Sequence, residues 1–207
     1  MEGVKIENLD DLHISVLTEI GNIGSGNAAT ALASLLNTVV DIEIPSIKLI
    51  DFDQVPDYLG GADQSAIGVT ITLEGDIQGM MLQIMQKEFA SRLINTFYEK
   101  ELSSLDDITD MDLSVVREMA NITTAAYVNS ISTMTDTYIN ITPPEDYLDT
   151  IANIISIPTT AFATLGKKVL FIDERFCIAN TEIKSSMILI LEISSMATLF
   201  EKLGLPC

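Results

Sequence analysis

Two short runs of this chain carry the same polar residue types at the same spacing: Ser15, Glu19 and Asn22, then Ser114, Glu118 and Asn121. A hydroxyl, a carboxylate and a carboxamide supply hydrogen-bond donors, acceptors and one negative charge. With a helical step of 100° per residue, Ser15, Glu19, Asn22 and Gly26 share one narrow arc. Leu17, Ile20, Gly24, Ala28, Ala31 and Leu35 take the opposite side as a core face. An offset of 99 residues puts Ser114, Glu118 and Asn121 on an equivalent outer face and turns Val116, Met119 and Tyr127 inward. A single stripe of this kind is what any solvated helix face shows. Its recurrence singles it out, because Asn in an exposed helix interior costs several tenths of a kcal/mol against Ala. Other chemistries lack parts. His13 is the one histidine, expected on the surface near a helix start, so neither a His-based zinc site nor a Ser-His-Asp triad assembles from conventional residues. Cys177 and Cys207 have no metal-ligand spacing, and a structural disulfide is not expected.

The elements that position the stripes are themselves repeated. After Asn22 and Asn121, 22 intervening residues lead to Pro45 and Pro144 respectively. Residues 76–85 resemble residues 182–191 at an offset of 106, so the second copy holds a seven-residue insertion. The chain therefore reads as a duplicated unit of about 100 residues, with pseudo-repeats 1–104 and 105–207 forming a single domain. In the first copy, periodicity predicts a long helix over 10–37, extended segments over 39–44 and 47–52, and a loop with one helical turn over 54–65. A hairpin is expected from 67–73 and 77–85, with Glu74-Gly75-Asp76 between the strands, and an amphipathic helix over 87–98. The second copy predicts a long helix over 112–134, a strand over 137–141, a helix over 147–155, strands over 168–172 and 186–193, and a helix over 195–203. Hairpins favour an antiparallel sheet. The expected fold is α/β of the α+β type: one antiparallel sheet shared by both copies and covered by helices. Pro45 and Pro144 are expected at a turn or strand edge.

Composition narrows the function classes. The 207 residues hold 30 Asp and Glu against 11 Lys and Arg, a net charge of −19, with both halves acidic. A nucleic-acid partner is excluded, because it requires a basic patch. Hydrophobic residues at 47 % and charged ones at 20 % exclude disorder. The most apolar run, near 186–193, is far shorter than the roughly 20 residues that span a bilayer. No secretory leader is apparent at the N-terminus, so the expected location is cytoplasmic and no membrane insertion is expected.

The doubled pattern [Asp/Ser]-x3-Glu-x2-Asn-x22-Pro resembles the signature of the CheC-type family of chemotaxis phosphatases, which takes in CheC, CheX and FliY. The run from Glu19 to Ala28 is similar to the family's first helix, and the resemblance extends over essentially the whole chain. It implies hydrolysis of the aspartyl phosphate of the response regulator CheY. It further implies that Asn22 and Asn121 orient the attacking water, that Glu19 and Glu118 pair with a lysine of the regulator, and that Ser15 and Ser114 support them. The Mg²⁺ would belong to the regulator, with no cofactor on this chain. The family also binds the receptor deamidase CheD, which leaves a non-enzymatic adaptor of CheD and phospho-CheY as the alternative reading. A monomer is expected. Gly21, Gly24 and Gly26 of the first copy become Ala120, Thr123 and Ala125 in the second, which slows docking there or only stiffens the helix; the resemblance implies that the two copies can differ in activity.

Overall fold

The computed structural model of the chain describes residues 9–161 and 168–205. The duplication is visible in its two longest helices, α1 (Asp11–Leu36) and α4 (Asp110–Thr135), each of 26 residues. Their ends match at the offset of 99. Asp10 and Thr109 are the N-caps, accepting from the backbone N–H of His13 (3.0 Å) and Asp112 (3.4 Å). Asn37 and Asp136 close the helices in the left-handed region, at φ 48° and 50°. Asn and Asp tolerate that conformation best among residues other than Gly.

The third helical positions hold different residue types that both reach back to the cap. Asp112 accepts from the Thr109 N–H and hydroxyl at 2.9 and 2.7 Å and pairs with Lys100. In α1 this place belongs to His13, whose Nδ1 lies 2.6 Å from the Asp10 carboxylate and whose ring meets Phe200 edge-on. The expectation of a surface His13 is thus corrected: the side chain is buried, because the cap and the aromatic contact both draw it inward.

From α1 the chain enters β1 (Val40–Asp51), which runs through Pro45 with a register shift between Glu43 and Ser46. A 3-10 turn (Phe52–Gln54) and α2 (Val55–Tyr58) lead to the hairpin β2 (Ser65–Gly75) and β3 (Gly79–Met85), then to α3 (Lys87–Tyr98). After α4, the counterpart of β1 is broken at Pro143-Pro144 into β4 (Ile139–Ile141) and β5 (Glu145–Thr150). α5 (Ile151–Ala161), β6 (Lys168–Ile178), β7 (Thr181–Leu191) and α6 (Ile193–Lys202) complete the chain. The helix expected over 147–155 is corrected here. Its first residues are a strand, because 145–150 pair with β2 from Thr70 to Ser65, and the helix starts at Ile151. The strand expected over 168–172 extends to Ile178, and the one expected over 186–193 starts earlier, at Thr181, but stops at Leu191 because Glu192 caps α6; the two form one hairpin.

The sheet is antiparallel and seven-stranded, in the order β1-β6-β7-β3-β2-β4, with β5 also on β2. Each copy sends its first strand to the other: β1 pairs with β6, while β4 and β5 pair with β2. The copies meet at β3 and β7, from Gly79 opposite Leu191 to Ile84 opposite Ser186. Strand alternation divides the core. Met81, Leu170, Ile172, Met187 and Leu189 face α1, α4 and α6, whereas Leu82, Phe171, Ile188 and Ile190 face α2 and α5.

Along α1 the buried ridge is Ile20, Gly24, Ala28, Leu32 and Leu36. This corrects the expected core face at two positions: Ala31 is exposed and Leu35 half-buried. A four-residue step advances 40° around the helix, so the ridge winds as α1 crosses its neighbours.

Candidate functional site

α1 and α4 lie side by side on the sheet. Gly24 abuts Tyr127, while Leu35 shares a cleft with Ser114, Val115 and Glu118, so the helices run antiparallel. The two polar stripes therefore point toward opposite ends of the helix pair and do not merge into one site. Counting from the Gly24–Tyr127 contact at 1.5 Å per residue, Asn22 and Asn121 are displaced by about 12 Å along the axes.

Ser15, Glu19 and Asn22 are all exposed, with Leu12, Ile14 and Ile23 exposed around them. Among the described residues neither Glu19 nor Glu118 forms an ion pair inside the chain, which leaves both carboxylates open to an external cation. Ser114 and Glu118 are exposed too, but Asn121 is half-buried. The Ser114 hydroxyl donates to the Met111 carbonyl at 2.6 Å, a bond within its own turn. Beside this second stripe lies an apolar cleft of about 200 Å³, lined by Leu35, Phe97, Tyr98 and Val115 together with Ser114 and Glu118. Arg117, next to Glu118, is held away from it by an ion pair with Asp146 on β5. The copies thus present the same three side-chain types in different surroundings.

Pro45 and Pro144 lie in the chain that follows each long helix. One stands at the register shift of the edge strand β1 and the other in the break before β5, both places where a missing N–H is tolerated. Among the described residues no group of His, Cys, Asp or Glu is arranged to hold a metal ion, and no helix is long and apolar enough to cross a membrane.

Beneath the helix pair lies a polar network that residue spacing did not reveal. Tyr127 of α4 donates to Glu174 Oε1 at 3.0 Å. Gln83 of β3 donates to Glu174 Oε2 at 3.2 Å, and Thr123 of α4 donates to Gln83 Oε1 at 3.0 Å. All four side chains are buried, as is Ser185 at the edge of the network. Burial is the main influence on Glu174 and pushes its carboxyl up to about 7, against the lowering effect of the Tyr127, Gln83 and Ser185 hydrogen bonds. Burial also pushes the Tyr127 phenol far up, aided by the nearby carboxylate, so it remains a donor. The available signal was a lone Gln83 in the apolar run from Gly79 to Met85, since buried polar side chains need partners.

A family model described as the CheC-like family matches residues 12–49 and 111–145, the segments that hold both stripes and both prolines. Over 206 residues the chain is 30 % identical to the CheY-P phosphatase CheC of Bacillus subtilis (strain 168), covering 98 % of this chain and 96 % of that protein. It is 26 % identical over 141 residues to the flagellar motor switch phosphatase FliY of the same organism, covering 68 % of this chain and 36 % of FliY. Among solved structures, Thermotoga maritima FliY superposes with a TM-score of 0.75 at 19 % identity, over 95 % of this chain and 98 % of the other. The FliM middle domain of H. pylori gives 0.67 at 9 % identity, over 94 % and 99 %. Matched in both of its helix-to-strand segments and aligned over nearly its full length, the chain belongs to the CheC-like family.

Proposed function

We propose that the protein is a chemotaxis phosphatase that removes the aspartyl phosphate of CheY. The observation that carries this reading is the Glu-and-Asn stripe, present on both α1 and α4, with Glu19, Asn22 and Glu118 exposed and Asn121 half-buried, and lying within both segments matched by the family model. An acyl phosphate is already activated, so a phosphatase needs only to place water and organise charge. Asn22 or Asn121 enters the regulator's active site, and its carboxamide orients a water molecule in line with the phosphorus. Water oxygen bonds to phosphorus, the bond to the aspartyl oxygen breaks, and inorganic phosphate and a free carboxylate result. Glu19 or Glu118, one turn earlier, pairs with a regulator lysine and fixes the angle of the helix. The Mg²⁺ that neutralises the phosphoryl oxygens is the regulator's, and this chain contributes no cofactor. Ser15 and Ser114 support the docked helix without touching the phosphate.

The test is phosphate release from phosphorylated CheY of the same organism. Wild type should accelerate it well above the spontaneous rate, and Glu19→Ala with Glu118→Ala should raise KM more than it lowers kcat. Unchanged KM and kcat in that double variant refute the glutamate role. The net charge of −19 favours a second reading, an acidic adaptor that holds CheD and phospho-CheY without turnover. Stable capture of both proteins with release at the spontaneous rate would support it instead.

A further inference from the structure

The crossing of α1 and α4 is built asymmetrically on a symmetric plan. At the offset of 99, Gly24 and Ala28 of α1 correspond to Thr123 and Tyr127 of α4. Where α1 is small, α4 carries a hydroxyl and a phenol tied into the sheet. A Cβ on Gly24 would lie 2.5 Å from Tyr127 Cδ1 and 3.1 Å from its Cα, so the ring and its backbone take the place of a side chain on α1. Apolar packing leaves some freedom, because a void of about 30 Å³ adjoins the ring, lined among others by Leu17, Ile20 and Gly21. The hydroxyl end is fixed by Glu174, which Gln83 holds in turn.

We propose that Tyr127, held by Glu174, which Gln83 holds in turn, is a positioning residue that sets how α1 lies against α4 and hence how each stripe is presented to a docked partner. As a catalytic effect this rests on the phosphatase reading. Gly24 lies two residues beyond Asn22 and Tyr127 six beyond Asn121, so a shift at the crossing reaches the first stripe within one turn and the second within two. The clamp also responds to pH. Thr123 and Tyr127 of α4, Gln83 of β3 and Ser185 of β7 face Glu174, and none is a cation. Its chain neighbours Asp173 and Arg175 alternate to the other sheet face. As a carboxylate, Glu174 accepts from all its donors. Protonated, it gains a donor and the oxygen that carries the proton becomes a weaker acceptor, so the Tyr127 or the Gln83 bond weakens.

The experiment uses the full chain with Tyr127→Phe, which keeps the ring, and Glu174→Gln, which keeps the shape but does not titrate. Melting curves verify folding of each. Spin labels at two exposed positions, introduced by Asn27→Cys and Asn129→Cys with Cys177→Ser and Cys207→Ser, report the separation of α1 and α4 by distance spectroscopy from pH 6 to 8. The wild-type distance should change across about pH 7, the Glu174→Gln distance should stay constant, and the Tyr127→Phe distribution should broaden. Turnover of phospho-CheY by Tyr127→Phe should fall roughly tenfold in kcat with little change in KM, less than the hundredfold that a ~1 Å misplacement can cost. Label distances identical in all three proteins at every pH overturn the positioning role, and so does a Tyr127→Phe variant with wild-type kcat. A wild type that fails to hydrolyse phospho-CheY overturns the phosphatase reading, and the distance measurement then decides the crossing by itself.

Discussion

One methyl group added at two positions of the same helix should act with opposite signs. Gly24 and Gly26 are both interior to α1, so replacing either by Ala gains about 0.5–1 kcal/mol of helix propensity. At Gly26 nothing lies within 4 Å of the added carbon, and the gain stands. At Gly24 the methyl would meet Tyr127 Cδ1 at 2.5 Å, Cε1 at 3.0 Å and the α4 backbone at Tyr127 Cα at 3.1 Å. The ring cannot simply swing aside, because its hydroxyl is held by Glu174, and α4 cannot retreat without stretching the bonds of Thr123 and Tyr127 to the sheet. Overpacking of this kind costs about 1–3 kcal/mol. After the propensity gain, Gly24→Ala should be about 1–2 kcal/mol less stable than wild type, a fall in Tm of about 2–8 °C for a chain of this size. Gly26→Ala should melt about 1–4 °C higher. Scanning calorimetry at one pH on the three proteins suffices. If Gly24→Ala stabilises as much as Gly26→Ala, the close crossing at Tyr127 is wrong.

Two further outcomes concern pH and capping. Glu174 titrates at about 7 when folded against an ordinary 4.5, so the folded state holds its proton more tightly. Its stability contribution is greatest below pH 4.5 and is lost as pH rises toward 7, by roughly 3 kcal/mol. Glu174→Gln should remove that slope in urea unfolding from pH 5 to 8, and an unchanged slope would contradict it. Asp112 behaves oppositely. Burial raises its carboxyl, but the Lys100 and Thr109 hydrogen bonds together hold it below its ordinary 3.8. Stability from this group is present above pH 3.8 and is lost as pH falls through the depressed value. Asp112→Ala should cost about 2 kcal/mol near neutral pH by unsealing the first turn of α4 and unpairing Lys100, whereas an unaltered Tm would show that cap to be idle.

Legibility of the sequence followed the range of the forces involved. The long helices and the Gly75 hairpin depend on residues within a few positions of one another, and Gly75 indeed takes φ 112° between β2 and β3. The stripes were readable for the same reason, since Ser15, Glu19 and Asn22 need only helical periodicity to share a face. What escaped was decided by distant partners. Residues 145–150 have no strand pattern of their own and become β5 only because β2 offers an open edge. His13 looked like a surface residue until Phe200, 187 positions later, packed against it. Glu174 sat in a mixed run beside Asp173 and Arg175, and only the alternation of β6 sends it inward to Tyr127 while its neighbours face outward. The half-burial of Asn121 against the exposure of Asn22 is likewise a tertiary fact.

The most direct measurement is the rate of phosphate release from phosphorylated CheY with Asn22→Ala, Asn121→Ala and the two combined. Losing one preorganised polar group in an active site costs about 2–4 kcal/mol of barrier. Each single variant should therefore retain the turnover of the intact stripe, in unequal shares, and the double variant should fall by roughly thirtyfold to a thousandfold. A double variant that releases phosphate at the wild-type rate would contradict the account at its centre.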